Sequence, residues 1–151
     1  MKSILITIYL FTLVITASFG QILKPVQWNF SSKKLDDKTY EIHLTASIGP
    51  GWHIYSQFTP KGGPVPTTVT FNKNAAILSL GKPQEAGKLQ QKMEKAFDME
   101  VKYFADKVDF VQVVKIKTQT PQNFSGTIEY MVCNEKQCLP PAEEDFTLTL
   151  R

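Results

Sequence analysis

The 151-residue sequence contains only two cysteines, two histidines and two tryptophans, and the first two scarcities each exclude a class of protein. Two cysteines with His43 and His53 are too few and too scattered for a zinc spacing, so no metal is expected. Hydrolytic and nucleotide chemistry lack their carriers: there is no Ser-His-Asp order, no P-loop and no dinucleotide fingerprint. Charge of one sign is missing as well. The formal net charge is +3, and Lys33-Lys34 and Lys115/Lys117 are too dispersed to build a basic patch. Neither nucleic acid nor an anionic membrane is expected as a partner. Repeats, low-complexity tracts and long helical periodicity are also absent.

One long apolar run is present, over residues 4–15, broken only by Thr7, Tyr9 and Thr12. Lys2 precedes it, and Ser18 and Gly20 stand where a signal peptidase prefers small residues. Residues 1–20 therefore read as a secretory signal peptide cleaved before Gln21. A membrane anchor would need about 20 apolar residues, and no cysteine follows the run to carry a lipid. Removing 20 of the 151 residues leaves 131, enough for one domain with one core over residues 21–151. Loss of Lys2 lowers the charge from +3 to +2. The mature chain is expected to be soluble, without membrane insertion, in a compartment where disulfides persist. Asn29-Phe30-Ser31 and Asn123-Phe124-Ser125 match the glycosylation sequon, which matters only in a host that reads it.

The remainder reads in period two. Over residues 39–46, Tyr40, Ile42, Leu44 and Ala46 fall on one face and Glu41, His43 and Thr45 on the other, the pattern of a half-buried strand. Gly49-Pro50-Gly51 signals a turn, and Trp52-His53-Ile54-Tyr55 resumes as strand. The run Lys61-Gly62-Gly63-Pro64-Val65-Pro66 must be loop, and residues 67–71 a short strand. Residues 87–98 are polar and weakly helical, and are read as an excursion or a single helical turn. Strands return over 101–104 and 108–117, the second apolar on both faces and so central. Residues 126–133 and 146–150 complete the set, with Ile128, Tyr130 and Val132 in phase. Seven or more short strands without a long helix predict an all-β protein, an antiparallel β-sandwich of immunoglobulin-like type.

Both cysteines lie in Cys133-Asn134-Glu135-Lys136-Gln137-Cys138. A four-residue hairpin loop sets its flanking residues about 4.5–5.5 Å apart at Cα, within disulfide reach. As a staple, a closed loop of about six residues contributes roughly 2 kcal/mol, the low end of the usual range. A pair at a loop tip is also open to a partner's sulfur, and exposed disulfides are the labile or catalytic ones. On these residues alone a redox pair and a structural clip both remain open.

Three segments then carry a resemblance: Gly51-Trp52-His53-Ile54-Tyr55-Ser56, Gly63-Pro64-Val65-Pro66-Thr67, and Tyr130-Met131-Val132-Cys133 with Cys138-Leu139-Pro140-Pro141. Together, over residues 26–150, they resemble the amino-terminal domain of the DsbD thiol:disulfide interchange protein. The resemblance implies an immunoglobulin-like module of the bacterial periplasm, a component of a protein-disulfide reductase that needs no cofactor. It implies thioredoxin-like redox partners, one a separate electron donor and others periplasmic acceptors, some in cytochrome c biogenesis. Cys133 and Cys138 would be the catalytic pair, with Cys138 forming mixed disulfides and Cys133 resolving them. A cap-loop aromatic shields the family's pair, and Phe97 in the irregular stretch before Val101 matches that place. Tyr55 matches an aromatic beside the cysteines, where its hydroxyl could orient a thiol or simply pack in a strand. His53, read as an exposed strand residue, could lower a thiol's pKa. Lys136 would favour a thiolate and Glu135 oppose it, unless both are only solvated tip charges. The rival reading is a secreted immunoglobulin-like binding module whose disulfide is purely structural.

Overall fold

The computed structural model describes residues 23–151, so the expected leader over residues 1–20 lies outside the described residues. Eleven strands form among the described residues. They are β1 (Val26–Lys34), β2 (Thr39–Ile48), β3 (His53–Tyr55), β4 (Thr68–Phe71), β5 (Ile77–Gly87), β6 (Gln90–Glu94), β7 (Met99–Phe104), β8 (Lys107–Ile116), β9 (Gln122–Tyr130), β10 (Val132–Cys133) and β11 (Ala142–Leu150). All their pairings are antiparallel, in sheets of order β1-β2-β8-β5, β10-β3-β7-β6 and β11-β9-β4. The architecture is an immunoglobulin-like β-sandwich.

Alternation decides the core. On β2, Tyr40, Ile42, Leu44 and Ala46 are buried; β8 alongside buries Val108, Phe110, Val114 and Ile116. From the facing sheet, Phe124 and Ile128 of β9 and Phe146 and Leu150 of β11 fill the same interior. Trp28 of β1 packs edge-on to Tyr130, with ring centroids 5.4 Å apart. β8 is central, between β2 and β5, as its apolar content predicts. On the edge strand β5 the register slips between Leu80 and Gln84, where Gly81 adopts a positive φ of 78° and Pro83 needs no ladder partner.

Two expectations change. Residues 87–98 contain no helical turn: they hold the last residue of β5, then β6 and a turn over 95–98 that leads into β7. Five residues of weak helix former cannot repay helix nucleation, whereas a hairpin satisfies their backbone against β7. The continuous strand expected over 126–133 is also two strands. β9 ends at Tyr130 in one sheet, and after Met131 the chain enters another as β10 beside β3.

Candidate functional site

The site is built on one face of the sheet β10-β3-β7-β6. Gly51, with φ at 78°, closes the turn that launches β3, and Trp52 N donates to Gly49 O at 3.1 Å. Strand β3 lies between β10 and β7, so all three of its residues are buried. Its register sets His53 directly opposite Cys133 and Tyr55 opposite Tyr103.

Cys133 and Cys138 are disulfide-bonded, with Cα atoms 4.0 Å apart, slightly closer than hairpin geometry predicts. The four residues between them form a tight turn held by Asn134. Its side-chain oxygen accepts from Lys136 N at 2.8 Å and Gln137 N at 2.9 Å, while its own N–H donates to Gln137 O at 2.9 Å. Asparagine suits this role because its side chain imitates a backbone carbonyl. The two sulfurs differ in surroundings. Cys133 is 1% exposed and packs with Tyr55 and Val101, whereas Cys138 is exposed.

A cleft of about 290 Å³ separates the cysteine loop from the β6–β7 hairpin. Lys92, Met93, Glu94, Lys95 and Ala96 line one side, and residues 134–138 the other. Met93, 63% exposed, is the large apolar side chain on the hairpin's wall of this cleft. Phe97 sits in the hairpin turn, half-buried, with its N–H on Glu94 O at 3.1 Å; it is not among the cleft's lining residues. Tyr55 is fully buried beneath the pair.

Charged groups from β6 complete the site. Glu94 Oε2 accepts from Tyr55 OH at 3.3 Å, and lies 3.1 Å from Lys92 Nζ and 3.6 Å from His53 Nε2. Lys92 also reaches Glu135 Oε1 of the cysteine loop at 3.4 Å and stands over the Tyr103 ring at 5.3 Å. Burial opposes ionisation of Glu94, but Lys92, His53 and the Tyr55 hydroxyl outweigh it and hold its pKa below the ordinary carboxylate value. Burial, reinforced by Glu94, pushes the Tyr55 hydroxyl's pKa far up, so it stays a hydrogen-bond donor.

His53 corrects the reading of an exposed strand histidine: it is 4% exposed, with Tyr55 and Tyr103 edge-on at 5.3 and 5.0 Å. Simple alternation implies one solvated face, but β3 is buried on both. Burial first, then Lys92, lowers its pKa against the opposing pull of Glu94 and Glu135, so the neutral imidazole is favoured. A neutral ring does not supply the positive charge that would depress a thiol's pKa. Glu135 is 88% exposed on its side chain and Lys136 is exposed, as befits tip charges. Lys92, Glu94 and Tyr103 were not singled out from sequence. Gln90, Lys92 and Glu94 share the half-buried face of β6, but a face this polar offers no hydrophobic alternation to read.

The family model described as "Thiol:disulfide interchange protein DsbD, N-terminal" matches residues 20–150. No curated protein matches the sequence. Among solved structures, the N-terminal periplasmic domain of ScsB from Proteus mirabilis is similar, with TM-score 0.58 and 16% identity over 90% of this chain. This chain spans about half, 49%, of that ScsB chain. The DsbD N-terminal domain of Neisseria meningitidis in its reduced form gives TM-score 0.54 and 12% identity, covering 88% of this chain and 94% of that one. The complex between the DsbD and PilB N-terminal domains from the same organism gives TM-score 0.52 and 13% identity, with coverage of 85% and 88%. At these identities the structural likeness is one of fold.

Proposed function

The chain belongs to the family of N-terminal domains of the thiol:disulfide interchange protein DsbD, and from that premise we propose that it passes electrons by thiol–disulfide exchange through Cys133 and Cys138. Residues 21–151 act as one module, in the periplasm after removal of the leader. The module works between a reductant protein and thioredoxin-like partners. The observation that carries this reading is the unequal access of the two sulfurs: Cys138 faces solvent at the cleft while Cys133 is 1% exposed. A partner's disulfide can approach the first and not the second.

In the reduced form the Cys138 thiolate attacks a partner disulfide, forming a mixed disulfide and expelling one partner thiolate. Cys133 then attacks Cys138, restores the intramolecular bond and releases the partner's second thiolate. Two electrons have moved to the partner, and a dithiol donor returns them to the pair. Tyr55 forms the floor beneath the sulfurs, and the β6–β7 hairpin, with Met93 rather than Phe97 on its cleft wall, flanks them as a partial shield that leaves Cys138 open. The complex of the Neisseria meningitidis DsbD and PilB N-terminal domains supports a protein partner for this kind of domain. The periplasmic ScsB domain of similar fold supports the compartment.

The deciding measurement is the reduction potential of the pair, joined to partner trapping with Cys133→Ser. A potential in the range of exchange proteins and a mixed disulfide through Cys138 are expected. A potential well below about −300 mV with no trapped partner would make the bond a structural clip in a binding module.

A further inference from the structure

The exchange cycle leaves one chemical demand unmet by the residues assigned so far. Cys133 must lose a proton before it can attack Cys138, yet it is 1% exposed and packed against Tyr55 and Val101. Burial in apolar surroundings raises a thiol's pKa, so water is a poor acceptor there. A titratable side chain stands directly opposite. His53 is the register partner of Cys133 across β3 and β10, and side chains so paired share a face with Cβ atoms about 4.5–5.5 Å apart.

We propose that His53 accepts the proton of Cys133 in the resolving step, with Glu94 orienting the ring and steadying the imidazolium. This rests on the exchange reading above. Three observations converge on it. The imidazole is 4% exposed, and its Nε2 has no hydrogen-bond partner among the described residues, although buried polar atoms are normally satisfied. Glu94 Oε2 lies 3.6 Å from that Nε2, so the tautomer carrying its proton there faces a carboxylate and leaves Nδ1 free to accept. The other groups facing the ring are the aromatic rings of Tyr55 and Tyr103, whose hydroxyls donate to Glu94 and Gln90, and the charges of Lys92 and Glu135. Burial first, and then Lys92, keep the ring neutral before the step, while the two carboxylates stabilise the cation once it forms. A base, an orienting carboxylate and a thiol form the usual arrangement for activating a nucleophile.

The step balances. The Cys133 proton moves to the imidazole, and the thiolate attacks Cys138 Sγ. The Cys133–Cys138 bond forms as the bond from Cys138 to the partner breaks, and the electron pair leaves on the partner's sulfur. The imidazolium then returns its proton to solvent. The partner is reduced and the cysteine pair oxidised.

The test uses the fully reduced protein and dithiobis(nitrobenzoic acid), whose coloured thiol is released once on attack by Cys138 and again on resolution by Cys133. In His53→Gln the second phase is expected to slow about tenfold or more at neutral pH, with the first unchanged. The difference should close in alkali, where Cys133 ionises unaided. Glu94→Gln, on a less buried strand, should slow the second phase by a smaller factor and serves if His53→Gln does not fold. An unchanged second phase, equal slowing of both phases, or a deficit that persists in alkali would overturn the assignment. If wild-type protein releases no coloured thiol in the first phase, the exchange reading itself fails.

Discussion

Lys92 Nζ lies 3.4 Å from Glu135 Oε1, an ion pair that spans the cleft from the β6–β7 hairpin to the cysteine loop. The pair joins the hairpin to the turn that carries Cys138. It sets two opposite charges in the cleft that Cys138 lines. Lys92→Gln is expected to raise the apparent pKa of Cys138 in the reduced protein, and Glu135→Gln to lower it, each by less than about one pH unit because solvent screens exposed charges. The pH dependence of alkylation by iodoacetamide measures both. Shifts of the same sign would show that the pair acts through hairpin position rather than charge.

The unequal access of the cysteines gives a simpler test. With Cys138 replaced by alanine, Cys133 should be alkylated under native conditions at least about tenfold more slowly than Cys138 in Cys133→Ser, and the difference should vanish in denaturant. Equal native rates would remove the distinction on which the proposed roles depend.

Reduction should leave the fold intact. The closed loop is short, so breaking the bond is expected to cost about 2 kcal/mol, against a core filled from both layers of the sandwich. Urea unfolding with and without a dithiol reductant should show one cooperative transition displaced by that amount. Complete unfolding on reduction would mark the disulfide as a structural necessity.

Stability should depend on pH through His53. Its pKa in the folded protein lies below the ordinary 6.5, so between those values the unfolded chain binds more protons than the native one. The contribution is present above pH 6.5 and is lost as pH falls through the folded pKa. Glu94 acts lower, its contribution being lost below the ordinary 4.5. Urea midpoints measured downward from neutrality should fall for wild type, and His53→Gln should flatten the first part of that decline. Parallel curves would mean that the ring titrates normally.

Gly126 gives a prediction remote from the sulfurs. A Cβ there would run into the Thr70 carbonyl oxygen and the Phe146 ring, which close on β9 from either side. Gly126→Ala should cost about 1–3 kcal/mol, a loss of several degrees in Tm. An unchanged Tm would show that β4 and Phe146 can move aside.

What could be read from sequence follows physical range. Strands β2 and β8 were legible because one buried face imposes strict alternation, as with Tyr40, Ile42, Leu44 and Ala46. β6 was illegible because Gln90, Lys92 and Glu94 form a strand only through pairing with β7, a contact their own propensities do not encode. The break between β9 and β10 was hidden for the opposite reason. Ile128, Tyr130 and Val132 are all buried and in phase, so periodicity runs unbroken through a change of sheet. At the site, Cys133 and Cys138 were found by local spacing, while Lys92 and Glu94 reach them across 39 or more residues of chain. His53 was found, but its environment is set by β10 and β7, which its own neighbours in sequence do not describe.

The turn held by Asn134 has a kinetic consequence. Its hydrogen bonds to Lys136 N and Gln137 N, and that of Leu139 N to Val132 O at 2.9 Å, do not involve the sulfurs. They can keep the two thiols adjacent after the bond between them opens, so the inner thiol meets the outer one at a very high effective concentration. Any molecule caught on Cys138 is then displaced from within before a second molecule can arrive. Such a turn would make the domain a poor place for adducts to accumulate and a fast one for electrons to pass through.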